Sequence, residues 1–253
     1  MDSIKVIKIG GKVAEDEKTL NQFLADFQRI KGSKILVHGG GVMATQLSNK
    51  MGLETKMIDG RRVTSSETLK VVTMVYGGLI NKRLVAKLQA LGQNSIGLTG
   101  ADLNIIDAHK RNPVPLDFGW VGDIETVQSN WLEMFIEQRV VPVIAPLTHD
   151  GKGNMLNTNA DNIAGFIAVE LAKNYSVELI FCFDRPGVMD GDTVIESLDL
   201  DKYEELKSEG IISDGMIPKL DLGFKALEHS VSQVTIKQVQ DLNIEQTGTQ
   251  LIL

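Results

Sequence analysis

Short runs of β-branched residues alternate with helical patterns along this chain. Residues 5–9 and 34–38 predict strands, residues 19–31 predict a helix between them, and a further helical pattern follows Gly41. This alternation is typical of βαβ units, whose parallel strands form a sheet covered by helices. The fully apolar runs at 140–147 and 177–183 predict central strands buried on both faces. The sequence therefore predicts an α/β protein with a mainly parallel, open central sheet.

A long helical pattern extends from Ser66 to Leu91 and is interrupted only by Gly77 and Gly78. Its apolar face is wider than packing on one sheet requires. It either covers the core or forms a subunit interface in which the glycines permit close crossing. We expect the interface, and hence a homodimer.

Two other segments depart from the helical rhythm. Residues 104–127 contain Pro113 and Pro115 between β-type residues, which predicts a hairpin insertion over a sheet edge. Residues 150–159 are rich in turn-forming residues and lead into an apolar helix. A boundary between two lobes of one domain is expected there, with lobes at 1–155 and 156–253.

Composition narrows the function classes. The 253 residues carry a net charge of −7, which argues against a nucleic-acid partner. A signal-peptide pattern and an apolar run of about 20 residues are both missing from the sequence, so we expect a cytoplasmic protein without a membrane partner. Cys182 is the single cysteine and lies in an apolar run, which predicts a buried thiol. The four histidines lack metal-ligand spacing, and no metal site on the protein is expected.

Two glycine turns follow the first two predicted strands. Lys8 precedes Gly10 and Gly11, and His38 precedes Gly39, Gly40 and Gly41. Glycines let the backbone approach a ligand and expose N–H groups to an anion, and the second turn opens a helix. Because Gly39, Gly41 and Ala44 also fit G-x-G-x-x-A, a dinucleotide-binding oxidoreductase is an alternative.

Further polar groups follow along the chain. Arg61 and Arg62 present two guanidinium groups, which bind carboxylates through a planar fork. Asn157, Asn159 and Asp161 precede an apolar helix, where one residue can cap but three exceed that need. A loop at 184–188 ends the strand at 177–183, and residues 213–219 predict a turn and a helix start with a second lysine, Lys219.

Five segments now occur in a set order: KIGG at 8–11, HGGG at 38–41, GRRVT at 60–64, NTNAD at 157–161 and SDGMIPK at 213–219. Their order and spacing over nearly the whole chain resemble the amino-acid kinase family, and within it the N-acetylglutamate kinases. The resemblance implies a three-layer αβα sandwich and ATP-dependent phosphorylation of the γ-carboxylate of an N-acylglutamate, a step of arginine biosynthesis. It implies that lobe 1–155 holds the acylglutamate and lobe 156–253 holds ATP with its Mg²⁺.

The resemblance also implies a role for each matching residue. The catalytic residues would be Lys8, Lys219 and Asp161. The substrate would be bound by Gly40, Gly41, Arg62, Asn157, Asn159 and Arg61. The phosphates and adenosine would be bordered by Gly10, Gly11, Asp184, Pro186, Gly187, Val188, Ile211, Ile212 and Ser213.

Two departures from the family pattern carry expectations. Resembling sequences have a hydrophobic residue where Arg61 stands, close to the acyl group, so a second guanidinium favours N-succinylglutamate over N-acetylglutamate. Arginine-inhibited hexameric relatives carry an extra N-terminal helix, whereas a strand begins here at Lys5. Feedback inhibition by arginine is therefore not expected. Glutamate 5-kinase, aspartokinase, carbamate kinase and uridylate kinase are alternatives within the family.

Overall fold

A computed structural model describes residues 3–58 and 61–253; Asp59 and Gly60, in the predicted arginine loop, lie outside the described residues. The strands are β1 (Ser3–Ile9), β2 (Ser33–His38), β3 (Met57–Ile58), β4 (Arg61–Arg62), β5 (Ser95–Leu98), β6 (Ile106–Lys110), β7 (Gly122–Val127), β8 (Val141–Ile144), β9 (Leu147–His149), β10 (Met155–Asn157), β11 (Ser176–Phe183), β12 (Met189–Asp190), β13 (Thr193–Val194), β14 (Ser197–Leu198), β15 (Gln233–Gln238) and β16 (Thr249–Leu251).

The α-helices are α1 (Gly11–Glu15), α2 (Glu17–Arg29), α3 (Gly41–Lys50), α4 (Ser66–Val72), α5 (Asn81–Ala90), α6 (Ser129–Glu137), α7 (Ala160–Leu171), α8 (Leu200–Ser208) and α9 (Ile217–Glu228). A π-helix spans Thr73–Ile80, and 3₁₀ turns span Asp102–Asn104, Asp214–Met216 and Val239–Asp241.

The main sheet has eight strands in the order β14-β16-β15-β11-β1-β2-β8-β5. Its neighbouring strands pair in parallel except β15 and β16, which pair antiparallel. The prediction of a mainly parallel central sheet is confirmed. Strands from before residue 150 form one half of the sheet and strands from after residue 175 form the other, and the halves meet where β1 pairs with β11.

Helices cover both faces, which gives the three layers that the family resemblance implied. The side chains of β1 alternate between the faces, as the period of a strand requires. Ile4 and Val6 pack in one apolar cluster with α7 and α9, whereas Ile7 and Ile9 pack in the other with α2 and the π-helix. Lys8 shares the parity of Ile4 and Val6, so it lies on the face that α7 and α9 cover.

A second sheet, in the order β10-β9-β6-β7, lies beside the main one. Its strands β6 and β7 pair antiparallel, which confirms the predicted hairpin insertion at 104–127. The prediction of one central strand over 140–147 is wrong. The run contains β8 in the main sheet and the first residue of β9 in the second sheet, and Pro146 separates them. Pro142 lies inside β8, so a proline alone does not end the strand; the chain changes sheets between Ile144 and Leu147.

The long helical pattern at 66–91 forms α4, the π-helix and α5 in succession. The π-helix contains both glycines and presents Met74 and Leu79 to solvent, 51% and 53% exposed. Cys182 is buried as predicted, and burial raises its pKa to about 12. Within residues 3–58 and 61–253, none of the helices has the length and apolar character to cross a membrane.

Candidate active site

Lys8 and Lys219 converge on one carboxylate. Lys8 Nζ lies 2.6 Å from Asp161 Oδ1, and Lys219 Nζ lies 3.0 Å from Asp161 Oδ2. The Asp161 side chain is 11% exposed. Burial raises the pKa of Asp161, but the charges of Lys8 and Lys219 outweigh burial and hold that pKa below its usual value. Two ammonium groups that are distant in the sequence are thus held beside each other by one carboxylate.

Local sequence places this triad. Lys8 lies near the carboxyl end of β1, and Asn159 caps α7 by accepting from the amides of Asp161 and Asn162. Asp161 lies in the first turn of α7, where a carboxylate is stabilised by the helix dipole. Lys219 lies in the first turn of α9, whose start contains Pro218. A cation is disfavoured at that end of a helix, and Asp161 offsets this cost.

The two glycine turns pack against each other beside the triad. The Gly39 amide donates to Ile9 O at 2.9 Å. A Cβ added to Gly11 would lie 3.1 Å from the Gly41 nitrogen and 3.2 Å from the Gly40 nitrogen, which is tighter than ordinary contacts. Any larger residue at Gly11 would push the turns apart. Within the described chain, the Gly40 and Gly41 amides donate to no protein acceptor. Unpaired amides at the start of α3 suit an anion.

Arg62 is buried beside the second glycine turn. Its Nη2 donates to Gly41 O and to Thr45 Oγ1, both at 2.7 Å. Only 6% of the residue is exposed, so the guanidinium is held in one position. Asn157, at the end of β10, donates through Nδ2 to Thr64 Oγ1 at 3.0 Å. Both side chains line the cleft, as expected for residues that bind a carboxylate.

The cleft has a volume of about 200 Å³. It is lined by Lys8, Gly11, Gly39, Gly40, Gly41, Met57, Arg61, Arg62, Tyr76, Arg111, Val121, Pro146, Asn157, Thr158, Asn159, Ala160 and Asp161. Of the predicted catalytic residues, Lys8 and Asp161 line this cavity, as does every predicted substrate-binding residue; Lys219 contacts Asp161 but is not part of the lining.

Arg111 also lines the cleft, and the sequence analysis did not single it out. Its guanidinium forms an ion pair with Asp123, whose pKa is lowered by hydrogen bonds from Arg111. The Arg111 Nη1 atom is buried without a hydrogen-bond partner among the described residues. Arg111 directly follows β6, at the start of the loop that connects β6 to β7. No sequence motif around it predicts a ligand-binding residue, and only the fold brings it into the same cavity as Arg61.

Of the predicted nucleotide residues, Gly11 lines this cavity, whereas those on the loops after β11 and before α9 lie apart from it. Asp184 Oδ2 accepts from Lys12 Nζ at 3.0 Å, and both side chains are exposed. Val188 and Ile212 are buried in the core, and their amides donate to Thr249 Oγ1 and to Leu206 O. Pro186, Gly187, Ile211 and Ser213 likewise do not line the 200 Å³ cavity.

A larger cavity of about 1100 Å³ is lined by Lys5, Glu178 and Lys237, among other residues. Lys5 pairs with Glu178, and the Lys237 ammonium donates to the carbonyl oxygens of Asp241 and Ile244. These three side chains are therefore already paired within the protein, in contrast to the free amides and guanidinium atom of the smaller cleft.

An open α/β sheet in which two lysines share one aspartate beside a cleft with paired glycine turns defines a class of phosphoryl-transfer enzymes. The model of the Amino acid kinase family matches residues 3–238. The chain belongs to the amino acid kinase family.

Relatives of known name match along nearly the full chain. The chain is 53% identical over 252 residues to an acetylglutamate kinase of Phocaeicola vulgatus, covering 98% of each chain. It is 39% identical to an acetylglutamate kinase of Methanopyrus kandleri, covering 97% of this chain and 99% of the relative.

Among solved structures, the N-acetylglutamate synthase of Neisseria gonorrhoeae, complexed with coenzyme A and N-acetyl-glutamate, has a TM-score of 0.86. It is 21% identical, and the match covers all of this chain and 59% of that one. A Giardia lamblia carbamate kinase bound to AMP-PNP has a TM-score of 0.69 at 14% identity, over 99% and 98% of the chains. These two likenesses show the fold.

Proposed function

We propose that this protein transfers the γ-phosphoryl group of ATP to the γ-carboxylate of an N-acylglutamate, in a step of arginine biosynthesis. The observation that carries the proposal is the triad: Lys8 and Lys219 share Asp161 at the edge of a cleft bounded by both glycine turns. The acetylglutamate kinases that match over nearly the whole chain support the acceptor.

The residues fit the needs of phosphoryl transfer, which are in-line positioning and neutralisation of charge. Lys8 and Lys219 would flank the migrating phosphoryl group, and Asp161 would hold them in place. The amides of Gly11, Gly40 and Gly41 would bind phosphoryl and carboxylate oxygens. A γ-carboxylate is already ionised at neutral pH, so the acceptor needs no base to remove a proton.

Arg62 and Asn157 would bind the α-carboxylate of the acceptor, with Asn159 beside them at the cap of α7. ATP would lie over the loops at 184–188 and 211–213, with Gly10 and Gly11 against its phosphates. The groups facing the phosphates are ammonium and N–H groups, which suit an anion; Mg²⁺ would therefore arrive bound to ATP and neutralise phosphate charge. The lobe at 1–155 would hold the acceptor and the lobe at 156–253 the nucleotide.

For the acyl group we propose a succinyl chain. Arg61 and Arg111 both line the cleft, and Arg111 has a buried Nη1 without a partner in the described part of the chain. An acetyl group carries no charge for these guanidinium groups, whereas the terminal carboxylate of a succinyl group can accept from both. A buried donor without an acceptor is costly, and such a carboxylate would satisfy it.

The deciding experiment measures ATP turnover with N-acetylglutamate, N-succinylglutamate and free glutamate in parallel, trapping the acyl phosphate with hydroxylamine. We expect hydroxamate with the acylated substrates and little with free glutamate. Turnover with free glutamate alone would instead indicate a glutamate 5-kinase, and turnover with no member of the panel would contradict the proposal.

The acyl preference is tested by Arg61→Leu. This variant should lower kcat/KM for N-succinylglutamate about tenfold or more, the effect of losing one charged hydrogen bond, and change it little for N-acetylglutamate. Arg29→Leu, on the exposed side of α2, is the matched control. A wild-type kcat/KM that is equal or higher on the acetyl compound would overturn the succinyl assignment.

We also propose that two copies pair through the helix around Ser66 to Leu91. The exposed side chains of Met74 and Leu79 support this, because they place apolar surface beside Gly77 and Gly78 on one helical stretch. Small residues at that position allow two helices to approach closely.

A further inference from the structure

His38, the last residue of β2, is fully buried directly behind the second glycine turn. Its Nδ1 lies 2.8 Å from Gly39 O. Because a carbonyl oxygen can only accept, Nδ1 carries the proton and Nε2 is an acceptor. Burial lowers the pKa of His38 to about 4, so the ring is neutral at pH 7, consistent with one donating and one accepting nitrogen.

Asn81 selects this tautomer from the other side of the ring. Its Nδ2 donates to Val143 O at 2.9 Å and lies 3.2 Å from His38 Nε2. The bond to a carbonyl establishes which end of the amide faces the ring. The amide therefore donates to Nε2, which must be unprotonated. Asn81 is 1% exposed and opens α5 directly after the π-helix.

The hydrogen bond from His38 determines which way the next peptide points. The Gly39–Gly40 bond is trans, so its C=O and N–H point in opposite directions. With Gly39 O turned towards His38, the Gly40 N–H points away from the ring, and the Gly40 nitrogen lies 3.2 Å from where a Cβ on Gly11 would be. The π-helix limits Gly40 from behind, since a Cβ there would lie 2.5 Å from Ile80 Cδ1 and 2.7 Å from Tyr76 Cδ1.

We propose that His38 and Asn81 are positioning residues for phosphoryl transfer: Asn81 keeps the proton on His38 Nδ1, and His38 orients the Gly39–Gly40 peptide so that the Gly40 amide faces the reacting oxygens. Neither side chain lines the cleft, and both act through the glycine turn. The inference rests on the proposed function for its kinetic consequence, but the orientation of the peptide is a property of the protein alone.

Two substitutions of His38 separate positioning from packing. The amide nitrogen of His38→Asn takes the place of Nδ1 and still donates to Gly39 O. The amide of His38→Gln takes the place of Nε2 and does not reach Gly39 O. We expect His38→Asn to keep kcat within about threefold of wild type and His38→Gln to lower it about tenfold or more, because complete loss of one oxyanion donor costs about 100- to 1000-fold. The KM for ATP should be unchanged in both.

Nitrogen-15 NMR supplies a readout that needs no turnover. The wild-type ring should show a protonated Nδ1 and an unprotonated Nε2, and Asn81→Ala should populate both tautomers. The Gly40 amide resonance should shift in His38→Gln and stay near its wild-type position in His38→Asn. If these NMR results hold in a protein without kinase activity, the proposed function fails and the positioning stands.

The opposite results would overturn the inference. A wild-type ring protonated at Nε2 would remove the donor to Gly39 O. Equal kcat for the two His38 variants, together with equal Gly40 amide shifts, would show that His38 only fills space.

Discussion

At Asp161, burial and the charges of two lysines have opposite effects on the pKa of the carboxyl group. Burying an isolated carboxylate costs free energy, and a buried carboxylate with a single ionic partner is left unpaired when that partner moves away. Here each carboxylate oxygen has its own ammonium partner, one from β1 and one from α9. The consequence is that Asp161 holds two like charges beside each other.

Lys8→Ala and Lys219→Ala should each lower kcat about 100-fold or more while the fold survives, because each removes a charge that stabilises the transition state. Steady-state kinetics and circular dichroism measure the two effects. Lys173→Ala, whose ammonium pairs with Glu170 on the surface of α7, is the matched control and should keep wild-type kcat. Near-normal turnover in both cleft variants would refute the assigned roles.

His38 gives the stability of the protein a specific pH dependence. Its folded pKa of about 4 lies below the unfolded value near 6.5. Because the unfolded state binds more protons between these values, the stabilisation is full above pH 6.5 and is lost as pH falls. Between pH 7 and pH 5 the wild type should lose about 2 kcal/mol of unfolding free energy through this group.

The measurement is urea unfolding of wild type and His38→Asn at both pH values. His38→Asn lacks the titrating ring, so its loss should be smaller by about the same 2 kcal/mol. Equal losses in the two proteins would show that His38 does not titrate upon unfolding.

Single residues differ in how far the sequence reveals them. Lys8, Asp161 and Lys219 each stand beside a local sequence signal: a strand end, a helix cap and a proline at a helix start, respectively. The order of the segments that contain them carries the family resemblance, and that resemblance predicts their roles. His38 also stands at a strand end, but nothing near it in the sequence predicts its contact with Asn81, and Arg111 stands beside no such signal. Asn81, which contacts His38, and Arg61, which lines the same cavity as Arg111, lie far away in the chain, and only the folded structure brings each pair of residues near each other.

The hydrophobic pattern predicted whether a segment forms a helix or a strand better than it predicted which sheet a strand joins. The run at 140–147 predicts one strand because both of its parts are apolar and buried, but the two parts belong to different sheets, with Pro146 between them. An apolar pattern shows that a residue is buried, not which sheet it belongs to. Likewise, a helical pattern over 66–91 contains no signal for the π-helix, because one extra residue per turn changes the hydrogen bonds more than the apolar spacing.

The π-helix surface provides a test of assembly. Leu79→Asp should convert a dimer to monomers, because it places a charge in an apolar contact between copies. Sedimentation at micromolar concentration measures the mass. Ile244→Asp, at an equally exposed apolar residue on the loop after β15, is the matched control and should leave the mass unchanged. A monomeric wild type would contradict the proposed interface.

For the whole molecule, ligand binding separates a kinase from the dinucleotide-binding alternative. The Mg²⁺ complex of AMP-PNP at 100 times its Kd should add about 2.7 kcal/mol to the free energy of unfolding, and NAD⁺ at equal concentration should add nothing. Urea unfolding with each ligand measures this. Stabilisation by NAD⁺ without stabilisation by the nucleotide would favour the oxidoreductase.

The position of β1 in the main sheet affects how the chain folds during its synthesis. β1 lies in the middle of the main sheet, and Lys5 meets its partner Glu178 only 173 positions later. At ribosomal rates of about 5–20 residues per second, one edge of β1 stays without its neighbour for roughly 9 to 35 seconds during synthesis. A nascent chain halted before residue 176 therefore exposes a bare parallel edge, which makes it a candidate for chaperone binding and for aggregation.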